Sequence, residues 1–310
     1  MSLAERIVID TDPGQDDAVA ILLALAERER LDLIGLTTVA GNVPVAKATV
    51  NALRLCELAG CNVGVRAGAE APLLFPLETA EFVCGPDGLA GAELPPPRTE
   101  AAAGHAVSWL IETLCASDDA TVTLCALGPL TNIALAIRLA PDILPKVKRL
   151  VVMGGAMNLG NMTPAAEFNT YVDPHAAAIV LDCGRPITLF NLSATHQAVA
   201  AAEALAAFAR TGTRTAAAVN GMLTRPRPGG LGTHGHPMHD PCTVAWLLWP
   251  DLFSGRDCFV EVETSAGPLR GRTTIDWNSR LKRPPNAHVI GEVQADVLFE
   301  RLFGALARLP

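Results

Sequence analysis

Apolar runs of strand length alternate along this chain with longer stretches whose apolar positions recur at helical spacing. Arg6–Asp10 predicts a buried strand, Asp17–Glu29 a helix, Leu31–Ala40 a second strand, and Pro44–Ala59 a helix opened by proline in its first turn. Asn62–Ala67 reads as a third strand. His105–Ala116, Thr121–Ala126, Leu130–Leu139 and Arg149–Met153 follow as helix, strand, helix, strand, and Pro174–Leu181 with Ile187–Phe190 add one more pair. This alternation predicts an α/β fold: a single domain over residues 1–310, with a mainly parallel central sheet flanked by helices. Phe259–Thr264 and Leu269–Thr274 flank Ser-Ala-Gly-Pro and predict a small C-terminal β-hairpin, before a last helix from about Gln294. Ligands of such sheets gather at the carboxyl ends of the strands.

Three segments break the pattern. Residues 71–99 are rich in Pro and Gly, residues 154–169 carry Gly, Asn, Thr and Glu, and residues 225–237 carry Pro, Gly and two His. Loops of this length are usually functional or mobile.

Composition narrows the classes. Half of the 310 residues are apolar, enough to bury a substantial core, yet no run of 18 apolar residues predicts a transmembrane helix. The start, Met1 to Arg6, lacks a basic segment followed by a long apolar one, so no signal peptide is expected. A formal charge of −8 offers no basic stripe for nucleic acid but leaves a neutral small molecule open as partner. The eight cysteines include no C-x-x-C pair and mostly sit in apolar patterns, the usage of a cytoplasmic protein with reduced thiols.

The densest chemistry lies in Val8-Ile9-Asp10-Thr11-Asp12-Pro13-Gly14-Gln15-Asp16-Asp17. Four aspartates fall where a buried strand ends in a Pro-Gly turn and a helix begins. Asp10 and Asp12 share one face of the strand, and Asp16 or Asp17 is placed to cap the helix. Capping does not account for the set. Carboxylates converging at a strand end are costly unless a cation neutralises them or one is protonated, and a hard cation with oxygen ligands, Ca²⁺ or Mg²⁺, suits them. No His/Cys set at zinc spacing lies nearby. A second acidic anchor, Asp240 in His239-Asp240-Pro241-Cys242, reads by itself as a helix N-cap before the apolar stretch Thr243–Trp249.

These motifs occur together with Thr37-Thr38-Val39-Ala40-Gly41-Asn42, Leu127-Gly128-Pro129-Leu130-Thr131-Asn132, and Met153-Gly154-Gly155 through Glu167-Phe168-Asn169. In order and spacing the five resemble the inosine-uridine-preferring nucleoside hydrolases, over essentially the whole chain. The resemblance implies hydrolysis of the N-glycosidic bond of ribonucleosides. It implies one Ca²⁺ held by Asp12, Asp17, Asp240 and the backbone carbonyl of Leu127. It puts Asp16, Asn42, Asn161, Glu167 and Asn169 on the ribose hydroxyls, with Met153 lining the sugar pocket. Asp12 would double as the general base toward water at the metal, and Asp10 would support from behind. The resemblance also implies a homodimer or homotetramer.

N-glycoside cleavage builds positive charge on the ribose, which a carboxylate-rich pocket stabilises, while a metal activates water. The departing base needs a proton or a hydrogen bond. His239 is the candidate donor, and His234 and His236 could close over the base. Cys84 stands where the best-known members carry a histidine, and Tyr171 is the only tyrosine, so the base preference stays open. Two other readings fit parts of the pattern. One is a calcium-stabilised ribose-binding protein without turnover. The other is a haloacid-dehalogenase-type phosphatase using Asp10 and Asp12.

Overall fold

Apolar runs become strands buried on both sides, which is why they read as continuous rather than alternating. The chain is described here by a computed structural model covering residues 4–225 and 236–310. The strands are β1 (Glu5–Thr11), β2 (Leu31–Thr38), β3 (Val65–Ala67), β4 (Val122–Ala126), β5 (Val147–Met153), β6 (Ile187–Phe190), β7 (Phe253–Cys258), β8 (Val260–Val262), β9 (Thr273–Ile275) and β10 (Ala287–Val293). The helices are α1 (Gln15–Ala26), α2 (Val45–Leu58), α3 (Glu81–Cys84), α4 (Ala106–Cys115), α5 (Thr131–Leu139), α6 (Phe168–Val172), α7 (Pro174–Leu181), α8 (Leu192–Thr195), α9 (Ala202–Ala209), α10 (Arg214–Thr224), α11 (His239–Leu248) and α12 (Ala295–Leu306).

Eight strands form one sheet in the order β3-β2-β1-β4-β5-β6-β10-β7, parallel throughout except for β7 against β10. Side chains alternate between two cores. Ile7 and Ile9 of β1, with Cys125 of β4, pack toward α1, α2 and the helices α9 to α12. Val8, Leu124 and Ala126 pack toward α4, α5, α7 and the small β8–β9 sheet. Helix α1 is buried nearly all round, because it is covered by α11, α12 and α2 as well as by the sheet. The order 3-2-1-4-5-6 is that of a doubly wound sheet whose crevice opens between β1 and β4.

The expected α/β fold and C-terminal hairpin are both present, with shifted boundaries. Helix α1 starts at Gln15 rather than Asp17. Gly14 has no capping side chain, and Asp17 at the third helical position reaches back to accept from Gly14 N at 3.0 Å. The third strand begins at Val65 rather than Asn62, since pairing with β2 starts only at Leu36. The second hairpin arm begins at Thr273 rather than Leu269: Gly267 and Gly271 adopt φ of +124° and +73°, turning the chain before it can pair. Asp240 is not an N-cap. Met238 occupies that position, and Asp240 lies inside the first turn of α11 with its carboxylate turned to the crevice. Strands β7 and β10 escaped the sequence reading, the first because a polar, mostly exposed edge strand carries no apolar run. No helix among the described residues is long and apolar enough to cross a membrane.

Candidate active site

The carboxyl ends of β1, β4 and β5, the turns after β2 and β6, and the start of α11 meet around a cavity of about 310 Å³, within the size range of small-molecule sites. Asp16, Asn42, Leu127, Met153, Glu167, Asn169 and Asp240 line it on the side nearest the strand ends. Asn161, Ala80, Phe82, Val83, Met162, Phe168, His196, Pro237 and His239 complete the wall. No Lys or Arg among the described residues contributes to that wall.

Carboxylates from opposite ends of the chain converge beneath it. Oxygens of Asp16, Asp17 and Asp240 lie within 4.8 Å of one another, a group able to hold a divalent ion. Asp12 lies beside them, with both Asp17 and Asp16 close enough to raise its pKa further once burial has raised it. Burial first, then the Asp16, Asp17 and Asp12 charges, pushes Asp240 well above the usual carboxylate range. Asp17 is raised by burial and Asp16, against hydrogen bonds from Thr11 and Gly14 that favour its charged form. Part of the cost of this crowding is offset by α1 and α11, whose positive N-terminal ends carry Asp16, Asp17 and Asp240 in their first turns.

The glycines of the surrounding motifs are there for Asp12. A Cβ on Gly41 would lie 2.0 Å from one Asp12 oxygen, and a Cβ on Gly128 would lie 2.4 Å from the other. Backbone therefore closes on the carboxylate from both sides, and Asn42 N donates to its Oδ2 at 2.6 Å. Its Oδ1 is buried with no hydrogen-bond partner among the described residues. An orphaned carboxylate oxygen beside three more carboxylates, with no cationic side chain in the wall, fits a bound cation; all the donors are oxygens, as a hard ion requires.

The other predicted residues fall into place around this floor. Asn42 also donates from Nδ2 to Asp17 at 3.1 Å. The Leu127 carbonyl faces the crevice and accepts from Asn169 Nδ2 at 2.6 Å, and the same amide reaches Met153 O at 3.1 Å. Glu167 caps α6 and accepts from Asn169 N, Thr170 N and Gly155 N at 2.9 to 3.1 Å. Those bonds oppose the upward pull of burial on its pKa. Asn161 Oδ1 accepts from Phe168 N at 2.9 Å, closing the 161–168 turn. Asp10 stands behind Asp12, its Oδ1 accepting from Thr37 at 2.6 Å and Asn132 at 2.8 Å, and burial raises its pKa to about 6. Like Asp12 and Asp17 it does not itself line the cavity, but unlike theirs its pKa is not raised by a neighbouring carboxylate, so it stands apart from the crowded cluster.

On the opposite wall, His239 Nδ1 shares a 2.7 Å hydrogen bond with the buried Thr195 hydroxyl. Cys84 is buried beside Val43 and Ala48, its thiol donating to Ala80 O at 3.2 Å and pushed up to about 12 by burial. Its neighbours Phe82 and Val83 form the wall instead. His236 is buried outside the cavity lining, and His234 lies outside the described residues. His196 was missed by the sequence reading. It lines the cavity, meets the His239 ring edge-on at 5.5 Å, and has its pKa lowered by burial. The signal was available: it follows the strand Ile187–Phe190, where carboxyl-end residues of a parallel sheet collect around ligands.

Fold and site together define a doubly wound α/β enzyme scaffold with a carboxylate-floored pocket at its switch point. The family model of the inosine-uridine preferring nucleoside hydrolases matches residues 7–300, and the chain belongs to that family, whose members are hydrolases of N-glycosyl bonds. An uncharacterized protein of Schizosaccharomyces pombe is 45% identical over 310 residues, covering 98% of this chain and 100% of its own. The pyrimidine-specific ribonucleoside hydrolase RihB of Escherichia coli K12 is 38% identical over 287 residues, covering 92% of this chain and 91% of its own. A plant nucleoside hydrolase, PpNRh1, superposes with a TM-score of 0.87 at 32% identity, covering 98% of this chain and 99% of its own.

Proposed function

We propose that this enzyme hydrolyses ribonucleosides to free base and ribose at a Ca²⁺ site formed by Asp12, Asp17, Asp240 and the Leu127 carbonyl. The observation that supports the reading is the convergence of Asp16, Asp17 and Asp240 oxygens, from residues more than 200 positions apart, with Asp12 beside them, at a nucleoside-sized cavity. Bound there, Ca²⁺ would act as a Lewis acid toward water and grip vicinal hydroxyls.

The protein's own groups divide the remaining work. Asp12 is the general base toward water: Asn42 N fixes its Oδ2, and the backbones at Gly41 and Gly128 pack against the carboxylate from both sides and hold its orientation. Asp16, Asn42 and Asn169 bind ribose hydroxyls from the floor, with Met153 packed beneath the sugar. Asn161 and Glu167, which also line the cavity, bind ribose hydroxyls with them, oriented by the backbone N–H groups that their oxygens accept. Anionic groups close to the anomeric carbon stabilise the positive charge that develops as the bond breaks. His239, oriented by Thr195, donates a proton or hydrogen bond to the departing base.

Eight cysteines without a disulfide among them fit a reducing, cytoplasmic setting, and association as a homodimer or homotetramer completes the proposal. Incubation with inosine, adenosine, uridine, cytidine and nicotinamide riboside in the presence of Ca²⁺ tests it. Release of free base and ribose from at least one is expected. Binding without turnover would make the protein a ribose-binding module, and absence of both would overturn the reading.

A further inference from the structure

The ten residues connecting β8 to β9, with Thr273 at the start of β9, reach the outer wall of the cavity at three points, and none of the side chains that do so lines the cavity itself. Arg270 is 7% exposed. Its guanidinium carbon lies 4.0 Å from the Phe75 ring centroid and 4.1 Å from that of Tyr171, stacked against both. Nη1 pairs with Glu78 Oε1 at 3.0 Å, Nε donates to Tyr171 O at 2.9 Å, and Nη2 donates to Val172 O at 3.3 Å. The Tyr171 hydroxyl donates to Glu78 at 3.1 Å. One side chain thus ties the segment leading to Ala80, Phe82 and Val83 to the end of α6, the five-residue helix that carries Phe168 and Asn169.

The neighbouring residues add two contacts. Gly271 lies so close to α6 that a Cβ there would sit 2.5 Å from Tyr171 Cα and 2.6 Å from Thr170 O. Thr273 Oγ1 accepts from Ala156 N and donates to Ala156 O, both at 2.8 Å, holding the turn after Met153. Between these points sits a small apolar cluster of Ala80, Phe168 and Val172 with Val83 and Met162, separate from the two main cores. Four of its members, Ala80, Val83, Met162 and Phe168, line the cavity, and Arg270 bonds the carbonyl of a fifth, Val172, so the clamp and the wall share one packing unit.

We infer that the β8–β9 connection is a clamp on the substrate cavity, with Arg270 and Thr273 as positioning residues that hold the 80–83, 153–156 and 167–172 segments in register for nucleoside binding. This inference rests on the proposed nucleoside hydrolysis for its kinetic readout only. Lysine cannot stack as a plane between two rings while making three bonds, and valine replaces the Thr273 hydroxyl at nearly equal volume.

In Arg270→Lys and Thr273→Val, KM for the best nucleoside should rise about tenfold and about fivefold, with kcat held within about threefold, the pattern of misplaced binding groups. Hydrogen exchange at Gly155, Ala156 and Tyr171 should quicken about tenfold in Thr273→Val or Arg270→Lys, whereas the amides of α1 keep their wild-type protection. KM within twofold of wild type in both variants, or exchange that is unchanged or accelerated equally in α1, would overturn the clamp. A wild-type enzyme with no nucleoside turnover would sink the proposed function instead, and the exchange comparison would still decide this inference.

Discussion

The floor of the cavity and its outer wall are built on opposite plans. The floor is made where strands end. Asp12 is wedged between the backbones of Gly41 and Gly128, Asp17 is tied to Thr11 and Gly14, and Asp240 is set by a helix packed on α1. Burial and the repulsion between neighbouring carboxylates drive up the pKa values of Asp12, Asp17 and Asp240. The wall is made of turns and a five-residue helix, with an exposed Phe82, and is held from behind by side chains that never touch the cavity. A rigid, electrostatically strained floor suits bond cleavage. A wall carried by a few braced turns suits recognition of a base, because it can be reshaped without moving the carboxylates of the floor.

Substitutions separate the two regions by size of effect. On the floor, Asp12→Asn should lower kcat by about 10³-fold or more, because base and metal ligand are lost together. Circular dichroism would confirm an intact fold, and a kcat within tenfold of wild type would remove Asp12 from the mechanism.

The crowding predicts an inverted pH response in metal-free protein. Asp10 is raised from 3.8 to about 6, and Asp12, Asp17 and Asp240 are raised as well, so the native state holds more protons than the unfolded chain above pH 4. Their contribution is full below the unfolded value and fades as pH rises through the folded ones. Tm in chelator should therefore fall by several degrees between pH 4 and pH 7. Added Ca²⁺ at a hundredfold excess over Kd should restore about 2.7 kcal/mol at pH 7, roughly 4 °C in a chain of 310 residues. A metal-free Tm that climbs over this range would contradict the buried cluster.

On the wall, Phe82→Ala should be the mildest change, raising KM about threefold with kcat unaltered, since a half-open ring gives up only part of its buried area. A large loss of kcat there would erase the distinction between the regions.

The same contrast explains what could be read from the sequence. Asp10, Asp12, Asp16 and Asp17 lie within eight residues around a Pro-Gly turn, so the floor was visible as a local pattern, as were the alternating elements that carry it. The purpose of Gly41 and Gly128 was not, since it depends on how close a carboxylate from another segment approaches. His196 was hinted at only by its place after the strand Ile187–Phe190, and Phe82 reaches the cavity through a chain path that no periodicity encodes. Arg270 is further removed still: its partner Glu78 is 192 residues away, and nothing local distinguishes it from a surface arginine in a hairpin turn. The hairpin itself was legible, displaced by a few residues because Gly267 and Gly271 turn the chain.

Calorimetric titration of the metal-free protein with Ca²⁺ probes most directly whether distant aspartates share one ion. One Ca²⁺ per chain is expected for the wild type, with affinity reduced at least about a hundredfold in Asp240→Asn, as for loss of a charged ligand. Equal affinity in the two proteins, or no binding by the wild type, would contradict the account.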